Sequence, residues 1–173
     1  MTRLPLVLRG REFPIPVVLA PMAGVTNIPF RAQCRTFGPD LVYVSEMVMA
    51  VALVHGNERT KKMVAFGPDE DFRSLQIYGS DPDFVGKAVR ALCEQDIADH
   101  IDMNFGCPAT KVTRKGGGAA VPVPLNNPPH IANNLSVLSL PSKILFLTVM
   151  FAELSRVIAI FELITVLFST NTL

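Results

Sequence analysis

The 173-residue sequence predicts an α/β fold of parallel strand–helix units, and three observations lead there. Short apolar runs alternate with longer stretches whose apolar residues recur at helical spacing. Glycine, proline and capping residues mark the junctions between them. Polar residues with useful chemistry recur just after the apolar runs, where parallel sheets meet their ligands.

Ile15 to Ala20 is a nearly unbroken apolar run that stops at Pro21-Met22-Ala23-Gly24, which predicts a buried first strand ending in a tight loop. A helix follows, with Thr26 or Asn27 as cap, Pro29 in its first turn, and Phe30, Cys34 and Phe37 on one face before Gly38-Pro39. Leu41 to Val44 reads as the second strand. Glu46 to Val54 crowds its apolar residues without alternation and predicts a buried helix, and the polar His55 to Lys62 a solvated turn. Leu75 to Tyr78 is the third strand, and Asp81 and Pro82 open a helix whose stripe is Phe84, Val85, Ala88, Val89 and Leu92. The fourth strand, Ile101 to Met103, leads into Asn104-Phe105-Gly106-Cys107-Pro108.

This order suits parallel pairing, because each crossover helix returns the chain to the start of the next strand. A doubly wound sheet and a (β/α)8 barrel share it. In both, the strand-end residues are the candidates for a site: Pro21, Met22 and Ala23, Ser45 and Glu46, Gln76 and Tyr78, Asn104 and Cys107.

Composition narrows the function classes. Hydrophobic residues make up 49% and charged residues 18%, which excludes a disordered chain. The net charge of +1 supplies no global attraction for a polyanion, so nucleic acid requires a local basic patch. Cys34, Cys93 and Cys107 form neither a disulfide framework nor a zinc pattern, and His55, His100 and His130 form no spaced set. Met1 to Gly10 lacks a signal-peptide core, so a reduced, cytoplasmic protein with no bound metal is expected.

Cys107 is the residue on which the chemistry turns. Gly106 permits unusual backbone angles and Pro108 fixes φ, so the thiol sits on a shaped loop at a strand end, beside the amide of Asn104. Thiols as a class are mostly protonated at neutral pH, which suits a general acid; a nucleophilic role needs a nearby base that the sequence does not identify. Glu46 suits either a loop-orienting role or a helix start. Lys111, Arg114 and Lys115 precede Gly116-Gly117-Gly118, a combination that suits an anion such as a phosphate but not the Walker arrangement.

Four segments carry a resemblance: Ala20-Pro21-Met22-Ala23-Gly24-Val25-Thr26 with Pro29-Phe30-Arg31; Ser45-Glu46-Met47; Gln76-Ile77-Tyr78-Gly79-Ser80-Asp81-Pro82; and Asp102-Met103-Asn104-Phe105-Gly106-Cys107-Pro108 through Gly118. In type, order and spacing they resemble the tRNA-dihydrouridine synthase family, flavin enzymes that reduce the 5,6 double bond of uridines in tRNA. The resemblance covers residues 3 to 134 and implies a TIM barrel holding FMN, with NADPH as reductant. It implies that Pro21, Met22 and Ala23 line the flavin ring, that Gln76 hydrogen-bonds it, and that Asn104 lies near flavin and uracil. It further implies that a hydride passes from flavin to C6 of uracil while Cys107 protonates C5. A uracil must leave its stack to enter such a pocket, and Lys111, Arg114 and Lys115 are placed against the RNA backbone. tRNA is the one partner implied. Another FMN barrel oxidoreductase, and a non-catalytic remnant associating with membranes through its tail, are the alternatives.

A (β/α)8 barrel takes about 250 residues, so residues 1–134 correspond to the N-terminal part of the catalytic domain and the barrel is incomplete. The lysine, histidine and glycine-rich strand ends that hold the FMN phosphate in the family have no counterpart here; Lys143 lacks their surroundings. Residues 135–173 form an atypical hydrophobic tail, expected to be helical, in which both the βα rhythm and the motifs stop, as a frameshifted or truncated gene would leave them. Glu153, Arg156 and Glu162 interrupt Ile144 to Phe168, and a central charge costs about 2.5–3.5 kcal/mol on insertion, which argues against a membrane span.

Overall fold

The computed structural model describes residues 5–56 and 58–120, together with the backbone of 145–149 and 164–166. His130, Lys143 and the tail charges Glu153, Arg156 and Glu162 lie outside the described residues.

A hairpin of β1 (Leu6–Leu8) and β2 (Arg11–Phe13) opens the chain. Its two-residue turn is Arg9-Gly10, both at positive φ, as a hairpin that matches the strand twist requires. Then come β3 (Val18–Leu19), α1 (Ile28–Arg35), β4 (Val42–Tyr43), β5 (Val48–Met49), α2 (Ala50–His55) and α3 (Glu58–Met63). They are followed by β6 (Ser74–Tyr78), α4 (Pro82–Glu94), β7 (His100–Met103), α5 (Thr110–Thr113), a 3-10 turn (Gly118–Ala120), β8 (Leu145–Val149) and β9 (Ile164–Val166).

The parallel sheet expected from the βα rhythm is present. β3 pairs with β4, a parallel bridge joins Val44 to Ser74, and β5, β6, β7 and β8 pair in that order, all parallel. Among the described residues, β3 to β8 therefore lie side by side in chain order, without the reversal that a doubly wound sheet makes at its switch point. β9 turns back antiparallel on β8.

α4 covers the sheet with Val85, Ala88, Val89 and Leu92, all buried against Leu75, Ile77 and Ile101. Each of the three larger side chains contributes about 1.5–3 kcal/mol. The helix starts where the sequence placed it, with the Asp81 carboxylate accepting from the amides of Asp83 (2.9 Å) and Phe84 (3.3 Å). The hairpin packs a second cluster, Leu8 and Phe13 with Val42, Val44 and Phe72, and Phe13 meets Phe72 edge to face at 5.0 Å. Phe72 precedes β6 and stacks on His100, the first residue of β7, so this cluster covers the amino ends of the central strands.

Several expectations are corrected. Ile15 to Ala20 is not buried: only Val18–Leu19 is strand, and Ile15 and Val17 are more than 40% exposed, because β3 is paired on one side among the described residues. In α1 the buried residue is Arg31, held by an ion pair; Phe37 lies beyond the helix and is 84% exposed. Glu46 to Val54 is not one helix, since Val48–Met49 pairs with β6 before α2 begins. The supposed turn at His55 to Lys62 contains α3, whose Glu58 lies at its start and Lys61 and Lys62 at its end, as the helix dipole favours. Finally, the tail is not helical where it is described: its β-branched and aromatic residues form β8 and β9, and the edge of β7 satisfies the β8 backbone. Among the described residues no helix is long and apolar enough to cross a membrane.

Candidate active site

The carboxyl ends of β6 and β7 carry a hydrogen-bonded chain of side chains. Register places Gln76 opposite Asp102 on neighbouring strands. Gln76 Nε2 donates to Asp102 Oδ2 at 2.5 Å, and Gln76 Oε1 accepts from Asn104 Nδ2 at 3.1 Å. Asn104 Oδ1 then accepts from the backbone amides of Gly106 (3.2 Å) and Cys107 (2.9 Å). The Asn104 backbone is tied to β6 through its own amide on the Ile77 carbonyl at 2.9 Å. Four residues from two strands thus hold the half-buried Cys107, with Gln76 and Asp102 buried beneath it.

The glycine run closes over the same loop. Ala119 N donates to the Cys107 carbonyl at 3.0 Å, and Gly118, at φ +56°, would place a Cβ only 2.5 Å from that oxygen. Glycine is required there on both counts. The amides of Gly116 and Gly117 are spent on Thr113 and Val112 carbonyls, and Ser80 Oγ donates to the Lys115 carbonyl at 2.8 Å. Two of the three glycine amides are therefore taken up within the loop, and Gly118 packs against the thiol segment. Lys111 lies in α5, with Arg114 and Lys115 just after it, and all three are exposed. Burial pushes the Tyr78 phenol above its ordinary pKa, and the nearness of Cys107 adds to this.

The strand-end loop after β3 is built separately and then joined on. Thr26 clamps it: its hydroxyl accepts from Met22 N at 3.0 Å and donates to the Met22 carbonyl at 3.1 Å. Gly24, at φ +77°, donates its amide to Glu46 Oε2 at 2.8 Å, so Glu46 orients a loop here and does not start a helix. Its neighbour Ser45 is fully buried and accepts the Gln76 amide at 3.3 Å. Ser45 and Glu46 thereby link the Met22 loop to the Gln76–Asn104–Cys107 chain. Met22 and Ala23 are exposed and Pro21 is half-buried.

Below this loop lies a buried ion pair. Arg31 makes a two-pronged contact with Glu70, Nε to Oε1 at 2.6 Å and Nη2 to Oε2 at 2.7 Å, and its Nη1 reaches the Thr26 carbonyl at 2.6 Å. Burial pushes the Glu70 carboxyl up, but the Arg31 hydrogen bonds, the Gly67 amide and the Arg31 charge outweigh it and hold the group below its ordinary value.

Gln76 lies within β6 and Tyr78 at its end, and the other expected residues follow the carboxyl ends of β3, β4 and β7. The contributions of Asp102 and Glu70 were not anticipated: Asp102 reads as one more strand residue, and the partner of Arg31 is 39 residues away. The period-two alternation that puts Asp102 beside Asn104 on one face was the available signal.

Comparison with known proteins gives a consistent picture. The family model described as Dihydrouridine synthase (Dus) matches residues 18–138. A Mycobacterium tuberculosis protein named "Probable tRNA-dihydrouridine synthase" is 53% identical over 117 residues, 64% of this chain and 30% of the relative. A Helicobacter pylori protein of the same name is 41% identical over 120 residues, covering 69% and 35%. A Shewanella oneidensis "tRNA-dihydrouridine synthase B" is 38% identical over 119 residues, again 69% and 35%. The chain spans about a third of the length of these relatives.

Proposed function

The chain belongs to the dihydrouridine synthase family, and on that premise we propose that it carries the acid-bearing part of a flavin-dependent site that reduces uridine in tRNA, on the wall of a (β/α)8 barrel. The observation that carries the reading is the hydrogen-bonded chain ending on the Cys107 amide, which holds a thiol at the carboxyl end of a parallel strand.

The residues fit a flavin. Met22 is apolar yet 39% exposed at the end of β3, a surface suited to a planar ring. Gln76 Nε2 carries two protons and Asp102 takes one, so the second is the one offered to a ring carbonyl. Pro21, Met22, Ala23, Gln76 and Asn104 are the residues assigned to FMN. When bound, and reduced by NADPH, the cofactor supplies the hydride equivalent for C6 of the uracil.

This chain's own residues supply the proton and the positioning. Cys107 Sγ holds the proton destined for C5. Asn104 fixes the thiol by holding two consecutive amides of its loop, and it is the residue assigned beside the target base. Lys111, Arg114 and Lys115 begin four residues after Cys107 and neutralise RNA phosphates beside the pocket, which makes binding salt-dependent.

The test is to titrate the purified chain with FMN and to measure dihydrouridine formed in tRNA with NADPH. Cys107→Ala is expected to keep flavin binding and to slow reduction by about 100-fold or more, the range of a lost general acid. Unchanged turnover in that variant removes Cys107 from the chemistry, and failure of the chain to take up FMN overturns the flavin assignment.

A further inference from the structure

Asp102 is buried on β7, one side chain away from Asn104 along the hydrogen-bonded chain, and the polarity of that chain can be followed from it. Asp102 Oδ2 accepts from Gln76 Nε2, whereas the side chains of glutamine and asparagine can each be turned to present either an oxygen or an NH2 group. With Asp102 accepting, Gln76 must direct Nε2 towards it and Oε1 towards Asn104. Asn104 must in turn direct Nδ2 to Gln76, which leaves only Oδ1 to meet the amides of Gly106 and Cys107. Reversing Asn104 sets two donors against each other at the Cys107 loop, and reversing Gln76 does the same between Gln76 and Asn104. Asp102 is 3% exposed and Gln76 likewise, so water is not at hand to replace the lost acceptor.

We propose that Asp102 is a positioning residue for Cys107: its carboxylate sets the orientation of the Gln76 and Asn104 amides and thereby the geometry of the thiol loop. The proposal rests on Cys107 being the reactive group of the site, but it concerns the loop and is tested without turnover. The same polarity fixes Gln76 as a donor towards any cofactor, because its oxygen is committed to Asn104.

The test is amide hydrogen exchange, resolved by residue, on the full chain. In Asp102→Leu the amides of Gly106 and Cys107 are expected to exchange about tenfold faster or more, while Leu75 in the body of β6 keeps its rate. Asp102→Asn, which offers an oxygen but can also turn its NH2 group to Gln76, is expected to restore protection at Cys107 in part, between Asp102→Leu and the unmodified chain. General destabilisation would raise exchange at Leu75 as well and would not be rescued selectively. A companion measurement needs no variant: in the unmodified chain a side-chain amide proton of Gln76 and one of Asn104 should exchange about tenfold or more slowly than those of the exposed Gln33 and Gln95. Native protection of Cys107 in Asp102→Leu, failure of Asp102→Asn to differ from Asp102→Leu, or unprotected Gln76 and Asn104 side chains each overturn the proposal. None of these outcomes bears on whether Cys107→Ala stops uridine reduction, so the two ideas fail separately.

Discussion

Replacing Glu70 by glutamine should be among the most damaging single changes in the chain. Glu70 keeps the charge of Arg31 compensated in a place where both side chains are 2% exposed, through contacts at 2.6 and 2.7 Å, and it also accepts from Arg35 Nη2 at 3.2 Å and Gly67 N at 2.7 Å. Removing one partner of a buried pair leaves the other charge without compensation and costs about 3–5 kcal/mol, a large part of the 5–15 kcal/mol that holds a typical domain together. The damage should reach the Met22 loop, because Arg31 also holds the Thr26 carbonyl and Thr26 clamps Met22. Urea unfolding of the two chains gives the difference directly. An apolar double replacement, Arg31→Met with Glu70→Leu, should recover part of the loss, since neither charge of the fully buried pair then remains, while Arg35 loses its carboxylate. The sign with pH follows from the lowered carboxyl: the stabilisation is present above the ordinary value of 4.5 and is lost as pH falls through the folded value. A cost below about 1 kcal/mol for Glu70→Gln, or a double variant no better than the single, would refute the argument.

Two more predictions follow from the site and the strand ends. Gly118→Ala puts a Cβ 2.5 Å from the Cys107 carbonyl at φ +56°, so it should cost about 2–4 kcal/mol from left-handed strain and clash together, and thermal melting with alkylation of Cys107 should show both a lower midpoint and an altered thiol reactivity. A shift equivalent to less than about 1 kcal/mol would mean that the loop moves freely. His100 is buried with Ser74 Oγ at 2.7 Å from its Nδ1, and desolvation lowers its pKa from 6.5 to about 4. The unfolded chain therefore binds the proton first, so stability is complete above pH 6.5 and falls towards pH 4 by about 3 kcal/mol. His100→Asn should flatten that part of the stability curve; an unchanged slope would assign it to other groups.

The parallel βα order, the Asp81 cap, the α4 stripe and the Asn104–Cys107 loop were legible because each is written in a few adjacent residues or in one repeat period. The errors share a different cause. Val48 and Met49 are extended because β6 lies beside them, and Ile15 to Ala20 is exposed because of what stands next to β3, facts set by residues far along the chain. The tail strands are of the same kind: their β-branched residues allow either an extended or a buried helical form, and pairing of β8 with β7 and of β9 with β8 selects the former.

By itself the sequence determined the family and singled out Cys107 as the candidate reactive group, because a thiol beside an amide on a Gly-Cys-Pro loop is a local arrangement. Only the tertiary structure decided how that thiol is held. Asp102 to Gln76 spans 26 residues, Gly24 to Glu46 spans 22 and Arg31 to Glu70 spans 39. Hydrogen bonds between side chains on neighbouring strands depend on register and on which way each amide is turned, and neither is written in the residues on their own.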